Sequence, residues 1–282
     1  MSAPSGNGGT AAPVTLVSGA GTGIGAAVAT AAAALGHRVV VCGRRAQPLD
    51  VVAAQARTAG LPGEVVPVVA DVSVPGDVER LVADVVVRYG RLDHVVLNAG
   101  VMRSGTILDT GPAEWDEVIR GNLTSAYLLA RAALPHLRDV GGSLVGVSSI
   151  AALRASAGAA AYATSKAALT MLVQSIAVDF GPVGVRANVV CPGWVRTEMA
   201  DEEMREFGEG AGLDRAAAYE QVTTLVPQRR PALPAEVAAA VLWLLGPQAS
   251  YVNGAVLTVD GGTTLVDAGT VAFDFRLSAR DG

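Results

Sequence analysis

Lysine is almost missing from this 282-residue chain: of 21 basic residues one is Lys and the others are Arg. Cysteine is nearly as scarce. Cys42 and Cys191 both fall in or beside apolar strand-like runs, and they read as small buried hydrophobes in a reducing compartment. Of the three histidines, His37, His94 and His136, none stands at ligand spacing to another or to a cysteine, so no metal site is expected. A basic excess is also lacking. The net charge of -5 argues against nucleic acid as a partner. Long apolar runs are absent too: the most membrane-like window, residues 24 to 35, is Ala-dominated, holds Gly25 and Thr30, and stops at His37-Arg38. The opening "MSAPSGNGGTAAP" has neither a basic start nor an apolar block, so residues 1–12 are expected to be a disordered tail and the protein cytoplasmic.

What is abundant is small and aliphatic. Hydrophobic residues make up 51% of the chain while aromatics make up 4%, so Ala, Val and Leu carry the apolar weight. Runs such as "RVVVC" and "HVVLN" are what strands buried on both faces look like. Strands are expected at Val14–Ser18, Arg38–Cys42, Val65–Ala70, His94–Leu97, Ser143–Ser148, Val185–Val190 and Ala255–Val259. Helices are expected near 23–35, 46–59, 76–89, 113–138, 160–180 and 234–245. This alternation implies βαβ units in an α/β fold, a doubly wound, seven-stranded parallel sheet in three layers. A single domain over 13–266 accounts for it, with 267–282 a C-terminal tail that follows no readable pattern. Residues 198 to 232 break the rhythm after a strand's carboxyl end, where active-site lids arise, and 198–226 is assigned as a substrate lid.

The first strand runs into "SGAGTGIGAAV", a glycine-dense turn opening an Ala-rich helix. Glycines let the backbone turn tightly and approach a ligand, and the free N–H groups of the helix start favour a pyrophosphate. GxGxxG/A fits only as Gly21, Gly23 and Ala26, whereas GxxxGxG fits as Gly19, Gly23 and Gly25.

Further along stand "LNAG" at Asn98–Gly100, then Asn122, Ser149, Tyr162, Lys166 and "PGWVRT" at Pro192–Thr197. In this order and spacing, from about residue 13 to "VDGG" at Val259–Gly262, the chain closely resembles the short-chain dehydrogenase/reductase family. The resemblance implies a Rossmann-type fold and hydride transfer between a nicotinamide and a carbonyl or alcohol carbon. It implies catalytic roles for Asn122, Ser149, Tyr162 and Lys166, with Ser149 polarising the substrate oxygen and Asn122 holding a water in a proton relay from Lys166. Cofactor contacts are implied for Gly19, Gly21, Thr22, Gly23, Ile24, Gly25, Asp71, Val72, Asn98, Ala99, Gly100, Tyr162, Lys166, Pro192, Gly193, Val195 and Thr197.

Tyr162 and the lone lysine, Lys166, are one helical turn apart and share a face. A tyrosine titrates near pH 10 and must come down to serve as acid and base at neutral pH. A cation about 5 Å away at an effective dielectric near 20 is worth about 3 kcal/mol, so Lys166 is expected to lower it by about two units. The compact ammonium can reach two ribose hydroxyls and still bias the phenol, a role that the broad guanidinium does not fit.

Cofactor choice turns on the end of the second strand, where an Asp or Glu would bind the ribose hydroxyls of NAD. The sequence there is "VVVCGRRAQ", with Gly43 in place of the acid. Arg44 is expected to meet a 2′-phosphate and Arg45 to serve as its fallback or to stack on adenine, so NADP(H) is preferred and NAD(H) left open. The expected activity is that of a carbonyl reductase on a small hydrophobic or cyclic ketone, with Val101, Ala151, Leu153 and Trp194 as pocket residues. Rival readings are an NAD-dependent alcohol, sugar or sterol dehydrogenase, a 3-oxoacyl reductase, and a non-catalytic dinucleotide-binding sensor. The helix segment "AALTMLVQSIAV" is apolar nearly all round, which implies a homo-oligomer, a tetramer on the family pattern or else a dimer.

Overall fold

The computed structural model describes residues 12–267 and 269; most of the two expected tails lies outside them. Seven strands form one sheet: β1 Val14–Ser18, β2 Arg38–Gly43, β3 Glu64–Val69, β4 His94–Leu97, β5 Ser143–Val147, β6 Arg186–Pro192 and β7 Val256–Val259. All pairings are parallel and the order is β3-β2-β1-β4-β5-β6-β7. Every expected strand is present, with ends shifted by two residues or fewer. Pro67 sits in edge strand β3, where a missing N–H is tolerated.

The helices among the described residues are α1 Gly23–Ala34, α2 Ala46–Thr58, α3 Pro75–Tyr89, α4 Pro112–Ile119 and α5 Ser125–Val140. They are followed by α6 Ala160–Phe180, α7 Glu198–Ala211, α8 Arg215–Val222 and α9 Pro234–Leu245. Alternating strand residues divide the interior in two. Leu16, Val40, Val95 and Leu144 pack with Leu81, Leu129 and Leu169 of α3, α5 and α6. Val17, Val41, Val96 and Val145 pack with Val28, Leu49 and Val241 of α1, α2 and α9. Burial on both faces is why the strands read as continuous valine runs.

The expected helix over 113–138 is two helices. A π turn at Arg120–Thr124 separates α4 from α5 and turns the Asn122 side chain wholly inward. Extra-residue turns of this kind recur at functional sites. A Cβ on Gly121 would stand 2.9 Å from Val101 Cγ2, so the turn brings its backbone against the segment after β4.

Candidate active site

Strand order reverses between β1 and β4, and at such a switch point the loops after neighbouring strands part to leave a crevice. Here the crevice is a cleft of about 1080 Å³, lined by Gly19, Gly21 and Thr22 after β1 and by Gly43, Arg44 and Arg45 at the end of β2. Asp71 and Val72 follow β3, and Ala99 and Gly100 follow β4. Ser18 holds the crevice together: its Oγ accepts from the N–H groups of Asn98 and Ala99 and donates to the Val96 carbonyl. Asn98 does not face a ligand with its amide, which donates at 3.0 Å to the carbonyls of both Ser18 and Gly19.

The glycine loop is packed to backbone contact. Gly19 has φ +62°, and a Cβ there would stand 2.8 Å from Ala99 Cα. At Gly25 a Cβ would come within 2.5 Å of both Asn98 Nδ2 and the Gly19 carbonyl oxygen, so this glycine seats α1 against β4 rather than lining the cleft. Gly23 and Ile24 open α1; Ile24 packs on the second half of the core. Thr22, the N-cap residue, makes no side-chain capping bond. The helix start therefore presents uncapped N–H groups beside the cleft, a good fit to a dinucleotide's pyrophosphate. Asp71 accepts at Oδ1 from the Ser73 N–H and hydroxyl, which fixes the turn after β3 while leaving the residue on the cleft wall. Arg44 makes no hydrogen bond or ion pair among the described residues, whereas Arg45 pairs with Glu198 of α7 at 3.0 Å.

The four expected catalytic residues gather behind the inner end of this cleft. Lys166 is buried and donates from Nζ to the Val147 carbonyl at 3.0 Å. Its ammonium is 5.6 Å from the Tyr162 ring centroid. A Cβ on Gly100 would be 3.4 Å from Lys166 Nζ and 3.1 Å from Asn122 Oδ1, so Gly100 is the floor that joins lysine, asparagine and cleft. Asn122 accepts at Oδ1 from Val101 N (2.7 Å) and uses both amide hydrogens on the Val101 carbonyl and Ser165 Oγ. Ser148 and Ser149 separate cleanly. Ser148 is buried and tied to α6 through the Lys166 carbonyl and Thr170, while Ser149 accepts from Ala151 N and acts on the Tyr162 phenol.

The electrostatics differ from the sequence expectation. Tyr162 is pushed up to about 12, chiefly by burial, with the Ser149 hydroxyl pulling the other way. Lys166 is pushed down to about 8, again by burial. Desolvation disfavours the charged form of each. At neutral pH the phenol is protonated and the ammonium charged.

The segment after β6 links the site to α7. Pro192 ends the strand, Gly193 N–H donates to the Val259 carbonyl, and Val195 pairs with Ala232. Thr197 caps α7 by accepting from Ala200 N, and its Cγ2 lies against Gly23. Of the expected pocket residues, Val101 lines the cleft. Trp194 instead packs against α7 and α8, in a cluster that includes Met204 and Tyr219. The acidic character of this segment is legible in the sequence, and the structure shows which carboxylates face the cleft from α7: Glu198, Glu202, Glu203 and Glu206. Their spacing of one helical turn was the available signal. Burial raises the Glu203 carboxyl, and Glu203 in turn acts on Tyr162. Cys42 and Cys191 are free and buried, no group of side chains among the described residues is arranged to hold a metal, and no described helix can cross a membrane.

Comparisons with known proteins agree with this geometry. A family model described as enoyl-(acyl carrier protein) reductase matches residues 19–264. The chain is 41% identical over 266 residues to "Protein MoaE" of Klebsiella aerogenes, covering 93% of this chain and 99% of that one. It is 37% identical to the 2-(R)-hydroxypropyl-CoM dehydrogenase of Xanthobacter autotrophicus, covering 90% and 99%. Among solved structures, a point variant of actinorhodin polyketide ketoreductase with NADPH matches with a TM-score of 0.85 and 32% identity, covering 89% of this chain and 97% of that one. The likeness to oxidoreductases thus runs along nearly the whole length of the chain. The chain is an enzyme of the short-chain dehydrogenase/reductase family.

Proposed function

We propose that this oxidoreductase is an NADP(H)-dependent carbonyl reductase acting on a small hydrophobic or cyclic ketone. The observation that carries the cofactor reading is the end of β2. Gly43 leaves open space on the cleft wall, with Leu49 Cδ2 3.8 Å from a Cβ placed there, and Arg44 beside it has no ion-pair partner among the described residues. No carboxylate stands at that position to repel a 2′-phosphate, and an unpaired guanidinium is the group that binds one in a planar fork.

A bound reduced nicotinamide supplies hydride to the carbonyl carbon. Ser149 orients the carbonyl oxygen by hydrogen bonding, and the Tyr162 phenol gives that oxygen its proton. Lys166, held by Val147, stabilises the phenolate that remains. Asn122 fixes Val101 beside the reacting centre; with both amide hydrogens engaged, one Oδ1 lone pair and the π-turn backbone are left to hold a relay water.

Helices α7 and α8, within 198–226, act as the lid over the single domain 13–266. Their acidic inner face disfavours an anionic substrate and an acidic carrier protein, since like charges repel. The protein is a cytoplasmic homotetramer in this reading: α6 leaves Met171 and Val178 of its outer face 62% and 76% exposed, and a two-fold copy is the commonest cover for such a surface.

The test compares kcat/KM with NADPH and NADH over a ketone panel, in wild type and in Gly43→Asp. A wild-type preference for NADPH of tenfold or more, about 1.4 kcal/mol, is expected, with reversal by the new carboxylate. Wild-type preference for NADH contradicts the proposal.

A further inference from the structure

Glu198 is the first residue of α7, yet its carboxylate lies at the opposite side of the cofactor cleft. Arg45 Nη2 meets Glu198 Oε2 at 3.0 Å and Arg45 Nη1 meets Oε1 at 3.5 Å, a forked pair between residues 153 apart in sequence. Arg45 first, and with it the Thr22 hydroxyl of the glycine loop, hold the Glu198 carboxyl below the usual carboxylate range. The two partners belong to the cofactor-binding elements after β2 and β1, and all three residues line the one cleft. An acidic side chain from the lid thus occupies ground otherwise suited to phosphate: a guanidinium fork and a threonine at an uncapped helix start.

We propose that Glu198 is an internal counter-anion, which Arg45 exchanges for the 2′-phosphate of NADP(H), so that phosphate binding releases the Glu198 side chain from the far wall. The inference rests on the NADP(H) reading above. Both partners are more than half exposed, with side chains 64% and 60% accessible. An exposed ion pair is weak, so the exchange needs little driving force and an incoming dianion wins it. Arg44, unpaired among the described residues, makes the first contact, and Arg45 joins once it is free. Glu198 is therefore a specificity-determining residue: it weakens NADP(H) binding while leaving NAD(H), which has no 2′-phosphate, largely untouched. The first turn of α7 is itself anchored, by Tyr219 and Arg215 to Asp201, so the exchange turns the Glu198 side chain while the helix stays seated.

The experiment is a direct binding titration of NADP+ and NAD+, without substrate, to wild type, Glu198→Gln, Arg45→Gln and the double variant. Glu198→Gln keeps the shape of the side chain and removes the charge. It is expected to bind NADP+ about threefold to fivefold more tightly, with NAD+ changed less than about twofold. In the Arg45→Gln background the same substitution is expected to change neither. A wild type that favours NADP+ and a Glu198→Gln variant with unchanged affinity overturns the exchange while leaving the cofactor reading in place. Equal tightening of both cofactors also overturns it, since Glu198 then competes with the pyrophosphate at α1 and not with the 2′-phosphate at Arg45. A wild type that favours NAD+ instead removes the cofactor reading itself.

Discussion

Lys166 and Tyr162 stand with the ammonium 5.6 Å from the ring centroid, both recessed, and burial moves their titrations in opposite directions, the phenol up and the ammonium down. The phenol at about 12 and the ammonium at about 8 leave the protein at neutral pH with a protonated donor beside a charged neighbour, the state that ketone reduction starts from. As pH rises past about 8, Lys166 loses the charge that stabilises the phenolate. The pH profile of kcat/KM, which reports groups of the free form, is therefore expected to be level at neutral pH and to fall above about 8 in the reductive direction. A profile that keeps rising to pH 10 contradicts this.

The single lysine is held to tight tolerances. It is 4% exposed, bonded to Val147, and close to both Gly100 and Asn122. A guanidinium keeps the charge but is broader, and must push on the β5 end or on the Gly100 floor. Lys166→Arg is expected to lose about 100-fold or more in kcat/KM, about 2.7 kcal/mol of transition-state stabilisation. Circular dichroism of the same sample checks that it is folded. A folded Lys166→Arg variant with near wild-type turnover removes the argument for an ammonium.

Much of this was legible in the chain because the relevant physics is local. Valine runs mark strands covered on both faces, the glycine loop and the one-turn spacing of Tyr162 and Lys166 are readable in the chain, and Ser149 follows from the family resemblance. The π turn at Asn122 was not legible, because "RGNLTSAYLL" continues helical spacing and its break depends on Val101 packing against Gly121. Arg45 and Glu198 meet only through the fold, 153 residues apart. The Tyr162 shift has the opposite sign to the expectation because a one-turn spacing gives the cation's distance but not the depth of burial.

At the amino end of the sheet His37 and His94 stack at 5.5 Å, with hydrogen bonds to Thr15 and Ser143. Burial, then the neighbouring His37, lowers His94 to about 4, with Arg186 acting the same way and Asp93 opposing. His37 is lowered too, by burial against the pull of Asp93. The folded state thus prefers neutral rings. Their contribution to stability is complete above the unfolded value near 6.5 and is lost as pH falls from there towards 4, to a limit of about 3 kcal/mol for His94. Urea midpoints are expected to fall between pH 6.5 and 4.5, and His94→Gln to flatten that fall. An equal slope in the variant contradicts the assignment.

The central claim is that the Tyr162 phenol delivers the proton, and the most direct measurement is turnover of Tyr162→Phe alongside its cofactor affinity. The ring and its packing stay, and the oxygen alone goes. Ketone reduction is expected to fall by about 1,000-fold, within the range of what a positioned acid contributes, while the Kd for NADPH changes less than about threefold, roughly 0.7 kcal/mol. A Tyr162→Phe enzyme that reduces ketones within about tenfold of the wild-type rate, with NADPH bound as before, contradicts the account.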